Sequence, residues 1–439
     1  MRKFITALII MIIAVFLLTG CTGPSRGVKR ADIATSYVNA IFNDDYKELT
    51  KFKLTFQMRT SLITRSAYKK VKGVFTDACG DFIEIVDITE AEYSPYRIVS
   101  VVSEFTDTFA NVNVVFDKQN RIAGIHYVYN RSYEDMEGKE TEVSFGNELP
   151  LDGSLAIPES NELVPAVIIV HGSGPSDRNG AVAGNAPYLE IAQQLYEKGI
   201  ASLRFDKRTY TYAYLGEEGE FDNMTVWEET INDVKLAFDF LAGQEGVDKD
   251  QIFIIGHSLG GYLMPRIAET VPQAAGYIML APSSSHLEDL IIRQTEYMLN
   301  LDGKLSSGEK DILIEYELAA DKIRNLQPES GYATADLLGA PESYWLDLKD
   351  YNPVEMMSAV EKPVLIIQGG RDYQVDMIEY QAWLDGLEGK ENVRFELFMD
   401  LNHMLAAGAG DSTPEEYQDF ANVDIRVGDT IADFITIME

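Results

Sequence analysis

In Gly256-His257-Ser258-Leu259-Gly260-Gly261, a glycine stands two residues before Ser258 and another two residues after it. The hexapeptide follows the apolar run 251–255, which predicts a strand, and precedes the apolar stretch 262–267, which predicts a helix. A strand can turn into a helix this abruptly only if the backbone around the serine is free of side chains. Such a turn holds the serine in a strained conformation, with its hydroxyl exposed near a helix N-terminus. The competing reading is a tight glycine turn with a capping serine, so the surrounding pattern has to decide.

From Val164 onward that pattern is an alternation of strands and helices. Strands are expected at 164–170, 200–205, 251–255, 276–280, 363–368 and 393–399, and helices at 188–197, 227–241 and 425–438. Their rhythm is βαβ, which gives an α/β fold with a mostly parallel central sheet covered on both faces. A strand pair within 131–161 leads into this unit, which is expected to span 140–439. The seventy or so residues between Pro282 and Tyr351 carry helical periodicity and are too long for a connection. They are expected to form a helical cap over about 283–351.

The chain has 439 residues, 46% apolar and 24% charged, enough for two or three folded units. Arg2 and Lys3 precede an almost unbroken apolar run over 5–18, short for a bilayer span but fitting a signal-peptide core. It ends in Leu18-Thr19-Gly20-Cys21, which resembles a bacterial lipobox. The resemblance implies removal of residues 1–20, lipidation of Cys21, a tether over 21–30, and a protein anchored to the cell membrane and facing outside the cytoplasm. An uncleaved N-terminal anchor would export the chain as well. The remaining cysteine, Cys79, then has no disulfide partner and reads as a small core residue.

Residues 31–130 combine a helical stretch around 33–42 with strand-like alternation at 82–86, 96–102, 110–116 and 122–129. This predicts a small α+β unit. Residues 113–126, Asn-Val-Val-Phe-Asp-Lys-Gln-Asn-Arg-Ile-Ala-Gly-Ile-His, resemble the cone-shaped domain found ahead of some secreted bacterial hydrolases. No polar constellation accompanies the unit, so it is read as a spacer or recognition module.

Lys plus Arg number 37 against 70 Asp plus Glu, for a net charge of −33, and this field repels nucleic acid. A serine hydroxyl needs a base, and the chain has five histidines. His257 lies inside the glycine turn, His171 in another, His126 in the small unit and His286 at the cap entry. His403 lies on a polar loop beyond the last strand, where a base belongs if chain order is serine, acid, histidine. The acid should follow the preceding strand. Asp372, in Gly369-Gly370-Arg371-Asp372, meets that condition, with Asp376 and Asp400 as competitors. The loop His171-Gly172-Ser173-Gly174-Pro175 follows the first core strand and is placed to supply an oxyanion donor. The donors are assigned to the backbone N–H groups of Ser173, with Gly174 beside it, and Leu259. This glycine loop lacks P-loop spacing and lysine, and no histidine pair stands at metal-ligand spacing on a helix.

These motifs, with Ser176-Asp177-Arg178, Arg204-Phe205-Asp206-Lys207-Arg208 and Asn402-His403, resemble the α/β-hydrolase superfamily over about 290 residues. More narrowly they are similar to secreted bacterial esterases that carry His-Gly-Ser-Gly-Pro followed by Asp-Arg. The resemblance implies hydrolysis of small or medium acyl esters through an acyl-serine intermediate, without a cofactor. Thr209 departs from it, because glycine is usual after Asp-Lys-Arg, so the loop 209–219 is expected to differ in shape. A serine peptidase of the oligopeptidase type is the alternative, although 31–129 is too short for the repeats of a β-propeller and shows none. A non-catalytic binding lipoprotein on the same fold is a further alternative, against which an intact triad argues. The aromatic cap residues Tyr297, Tyr316, Tyr344 and Trp345 are either pocket-lining or core.

Overall fold

A computed structural model describes residues 30–437, except 56–57, 60–64, 94–95, 107–108, 131–135, 137, 147, 183–184, 213–220, 222 and 419–420. The apolar leader and Cys21 lie outside the described residues. Among the described residues no helix is long and apolar enough to cross a membrane.

The chain builds two separate sheets. The first is an antiparallel meander of β1 (Phe82–Tyr93), β2 (Tyr96–Phe105), β3 (Phe109–Phe116) and β4 (Ile122–Asn130). Helices α1 (Arg30–Phe42) and α2 (Arg65–Cys79) precede it, and the second of these has no counterpart in the expected pattern. Alternate residues Val99, Val101, Val112 and Val114 are buried with Tyr37, Ile41 and Phe42 of α1 and with Cys79, a free thiol in this core. The period of two along β2 and β3 puts one face of each strand into that core.

The second sheet has eight strands, β5 (Glu140–Phe145), β6 (Leu151–Ala156), β7 (Val164–Val170), β8 (Ala201–Phe205), β9 (Val247–His257), β10 (Gly276–Leu280), β11 (Val364–Gly369) and β12 (Val393–Phe398). Their spatial order is β12-β11-β10-β9-β7-β8-β6-β5, with β7 through β12 parallel and the β5–β6 hairpin antiparallel at the far edge. The inner strands β7, β8, β10 and β11 are buried on both faces, which is why they read as continuous apolar runs, whereas the edge strands β5 and β12 are partly exposed. Ala166, Ile168, Ile252 and Ile254 face the core that holds α4 (Asn232–Leu241), α5 (Leu259–Tyr262) and α6 (Met264–Thr270). Val167, Ile169, Phe253 and Ile255 face the opposite core, with α3 (Pro187–Tyr196) and α11 (Ile425–Ile437).

The order reverses between β7 and β9. From β7 the chain steps outward to β8, then returns to β9 on the other side of β7. Loops leaving the carboxyl ends of β7 and β9 therefore diverge and leave a crevice, the place where α/β sheets bind ligands. Register aligns those ends, with Val170 opposite Gly256, His257 opposite Leu280, and Leu280 opposite Ile367.

Between β10 and β11 the chain forms α7 (Leu287–Leu299), α8 (Ser307–Arg324) and α9 (Glu342–Leu348) and adds no strand. α8 starts with a capping box between Ser306 and Glu309. α9 is not detached from the core of the second sheet: Tyr344, Trp345 and Leu348 are buried in the same cluster as Ile254. The expected helix 227–241 begins as a π-turn, Trp227–Ile231, before α4.

Replacing the fully buried Ile254 of β9 by alanine removes three methyl(ene) groups from the strand that carries the serine turn. The expected loss of stability is about 2–5 kcal/mol, read from the shift of the urea unfolding midpoint.

Candidate active site

Ser258 sits at the end of β9 with φ 53° and ψ −113°, a region that non-glycine residues seldom occupy. Conformations of this kind cost about 1–3 kcal/mol and persist only where the surroundings dictate them. Here the Ser258 N–H donates to the Leu280 carbonyl of β10 (2.9 Å), and the Ser258 carbonyl accepts from the Tyr262 N–H (2.8 Å). The flanking glycines are required by contact. A Cβ on Gly256 would fall on the Gly260 carbonyl, and one on Gly260 would lie 2.8 Å from the His171 carbonyl and 2.9 Å from that of Val170. β7 and the serine turn thus touch backbone to backbone.

His403 and Asp372 meet across the neighbouring loops. His403 Nδ1–H donates to Asp372 Oδ2 at 2.7 Å, and both residues are buried. The other carboxylate oxygen accepts the backbone N–H groups of Gln374 and Val375, each at 2.8 Å, and the Gln368 side chain donates to Oδ2 at 3.3 Å. The competitors are used elsewhere. Asp376 caps α10 (Met377–Gly386) by accepting from Ile378 N–H and pairs with Arg293. Asp400 pairs with Arg426 at the surface. Among the described residues, His403 Nε2 and Ser258 Oγ carry no hydrogen bond, to each other or to any other group.

His257, set aside in the sequence because of its place in the turn, proves to be a connector. Its Nε2 lies 2.9 Å from the His403 carbonyl and its Nδ1 lies 3.1 Å from the Tyr188 hydroxyl. Burial, then the neighbouring His403, lowers its pKa from 6.5 to about 3, so the ring is neutral. A carbonyl only accepts, so Nε2 carries the proton and Nδ1 accepts from Tyr188 O–H. Tyr188 in turn accepts the Gly172 N–H at 3.1 Å. One chain of hydrogen bonds therefore joins the loop after β7, the serine turn and the loop of His403.

The loop after β7 is held from the other side by the Arg204-Phe205-Asp206-Lys207-Arg208 segment. Asp206 accepts from Arg178 through its backbone N–H (2.8 Å) and its guanidinium (2.8 Å). Lys207 N–H donates to the Ser176 carbonyl (3.0 Å), and Lys207 Nζ donates to the Gly172 carbonyl (2.9 Å) and to Glu229 Oε1 (2.6 Å). Arg208 pairs with buried Asp233. Neither Ser173 N–H nor Leu259 N–H has a partner among the described residues, which leaves both free to meet an oxyanion beside Ser258. Gly172 itself packs against the serine: a Cβ there would lie 3.2 Å from Ser258 Cβ.

The other histidines are elsewhere. His171 is buried edge-on against Tyr188 and Phe205, His286 precedes α7, and His126 lies in β4. No group of three or more His, Cys, Asp or Glu residues among those described could hold a metal ion. Of the cap aromatics, Trp345 donates to the Leu337 carbonyl and Tyr344 to Glu229 Oε2, so both belong to the core. Tyr297 stacks on Tyr373, next to Asp372, with ring centroids 5.0 Å apart, and Tyr373 stacks on Tyr417. Thr209 lies in a helical turn, Arg208–Thr211, and most of the loop beyond it, 213–220, lies outside the described residues.

The sheet order, the serine turn after β9 and the His–Asp pair beyond β11 and β12 define an α/β-hydrolase, and the chain belongs to that family. Over 359 residues it is 34% identical to Esterase EstD of Thermotoga maritima, covering 80% of this chain and 82% of that protein. Residues 164–309 match the family model described as serine aminopeptidase, S33. Among solved structures, it is similar to the Pyrococcus furiosus esterase Pf2001, with TM-score 0.45 and 17% identity over 70% of this chain and 94% of that one. Est1E from Butyrivibrio proteoclasticus gives TM-score 0.43 and 18% identity over 68% and 98%.

Two outcomes follow. Asp372→Asn keeps the shape of the acid but no longer accepts from Nδ1–H with a charge, and kcat should fall by about 10³–10⁴ with the fold intact. His171 and His257 both have their pKa lowered from 6.5 to about 3 by burial. The unfolded chain binds those two protons below pH 6.5 and the native state does not, so stability falls as pH drops from 6.5 toward 3. Between pH 7 and 5.5 the two together should remove about 2–3 kcal/mol. Urea unfolding at both pH values checks this, and an unchanged free energy would show that the rings take up protons in the folded state.

Proposed function

We propose that the protein is a serine-dependent carboxylic ester hydrolase that acts on small or medium acyl esters outside the cytoplasmic membrane, anchored through lipid on Cys21. The observation that carries the chemistry is the 2.7 Å bond between His403 Nδ1 and Asp372 Oδ2, in a loop whose His403 carbonyl is tied to the residue before Ser258. The 34% identity to an esterase over most of both chains supports the ester as substrate class. The lipobox-like Leu18-Thr19-Gly20-Cys21 supports the location.

In this reading Ser258 Oγ attacks the ester carbonyl while His403 Nε2 takes its proton. The tetrahedral oxyanion is met by the N–H groups of Ser173 and Leu259, and Asp372 steadies the imidazolium and its tautomer. His403 gives the proton to the departing alkoxide, which leaves as the alcohol. Water, deprotonated by the same imidazole, then attacks the acyl-serine. The carbonyl carbon passes to water, the acid is released, and Ser258 regains its proton. The family model matched over 164–309 is described as a serine aminopeptidase and favours a second reading, hydrolysis of an amide bond by the same residues.

A p-nitrophenyl ester chain-length series, assayed with the full chain in mild detergent beside Ser258→Ala and His403→Ala, tests the reading. Both variants should lose about a thousandfold or more in kcat/KM. Aminoacyl p-nitroanilides run in parallel separate the two readings: turnover of these alone would overturn the esterase assignment. No turnover of either set, with no fluorophosphonate labelling of Ser258, would leave a binding protein.

A further inference from the structure

The Gly172 carbonyl and the Ser173 N–H belong to one planar trans peptide and therefore point in opposite directions. Lys207 Nζ donates to that carbonyl at 2.9 Å. The N–H that would meet the oxyanion is thereby directed away from the lysine. Tyr188 already engages the N–H of Gly172 at 3.1 Å, so the residue is gripped at both its polar groups.

The lysine is itself fixed from below. Its side chain and that of Glu229 are 2% and 6% exposed, and they pair at 2.6 Å. An unpaired ammonium at such depth would be expelled or neutralised, so the carboxylate is what allows the cation to remain there. Glu229 reaches that point from the π-turn Trp227–Ile231, and π-turns inside helices are frequent at functional sites. The second oxygen of Glu229 accepts from Tyr344 of cap helix α9 at 2.9 Å. Burial, and then Glu229, raises the Tyr344 phenol well above its ordinary value, which keeps it a donor at working pH. The neighbouring Ser343 donates to the Met224 carbonyl at 3.0 Å, a second tie between α9 and the same segment.

We propose that Lys207, held by Glu229 and Tyr344, is a positioning residue that sets the direction of the Ser173 N–H toward the oxyanion and makes that direction depend on cap helix α9. The assignment rests on the reading of Ser173 as an oxyanion donor given above. It concerns transition-state charge, so it affects turnover more than substrate capture.

The test uses the full chain with Tyr344→Phe, Lys207→Met and the double variant Lys207→Met/Glu229→Met, which removes both buried charges together. The readouts are kcat and KM on the best p-nitrophenyl ester, and inhibition by an alkylboronic acid, whose tetrahedral adduct on Ser258 places a negative oxygen where the oxyanion forms. In the double variant kcat should fall about 10- to 1,000-fold, with KM changed less than about threefold and boronate affinity falling in step with kcat/KM. Tyr344→Phe should lose about three- to tenfold in kcat with the same pattern. A folded double variant with the kcat and boronate affinity of the unmutated protein overturns the proposal. If the charge variants do not fold, an unaltered Tyr344→Phe overturns it instead. An unmutated protein that hydrolyses no ester and takes no boronate points to a different failure, that of the esterase reading, and this assignment falls with it.

Discussion

The backbone contact between β7 and the serine turn is the constraint on which the rest of the site depends. The missing Cβ of Gly260 lets the turn lie against the carbonyls of Val170 and His171, and the missing Cβ of Gly256 lets the strand end beneath it. With the turn in that position, Ser258 is carried into positive φ, and its own N–H and carbonyl are used by Leu280 and Tyr262. The strain is local, and the fully buried strands on both sides hold it in place. Every other group of the site is placed by reference to this contact: Gly172 against Ser258 directly, and the His403 loop through the His257 ring.

Much of this was legible in the sequence, because it rests on local patterns. A strand buried on both faces must read as an apolar run, and the elbow needs glycine at two positions, so 164–170, 276–280 and Gly256 to Gly261 announced themselves. Asp372 and His403 were found by chain order, since each parallel strand delivers its loop to the same edge. What was not legible is pairwise and distant. Tyr188 and His257 are 69 residues apart and Lys207 and Glu229 are 22 apart, and no periodicity links them. The π-turn that brings Glu229 inward reads as ordinary helix. Helix α2 lies outside the expected pattern although Tyr68, Val71, Phe75 and Cys79 recur at helical spacing along Arg65–Cys79.

The charges around the loop after β7 serve geometry more than stability. Lys207–Glu229, Arg208–Asp233 and Arg178–Asp206 are all largely withdrawn from water. Taking two ions out of water consumes most of what their attraction returns, so such pairs contribute little net free energy compared with apolar packing. They differ from apolar packing in being directional. Asp206 accepts from both the backbone and the guanidinium of Arg178, and Lys207 reaches a specified carbonyl, which a leucine could not do. The Ser173 N–H has no partner among the described residues, and the loop around it is gripped by neighbours, with Tyr188 on the Gly172 N–H and Asp206 on the Arg178 N–H. The Asp206-Lys207 segment adds to this grip by bonding Arg178, Ser176 and Gly172.

The cap adds a second level to the same scheme. It reaches the chemistry at two separate places, each through side chains that the core has already committed. On one side Tyr344 of α9 holds Glu229, and so the strut under Gly172. On the other, Arg293 of α7 pairs with Glu379, a fully buried carboxylate of α10 that also gathers the hydroxyls of Ser283, Ser284 and Ser285, while Tyr297 stacks on Tyr373 beside Asp372. The loop of Asp372 and the loop after β7 thus each lean on a different one of these helices. A displacement of these helices together would disturb both, whereas a change within α9 alone would be felt at Gly172 and leave the His403–Asp372 pair in place. The two ties between the inserted helices and the site are therefore separable, because they run through different residues.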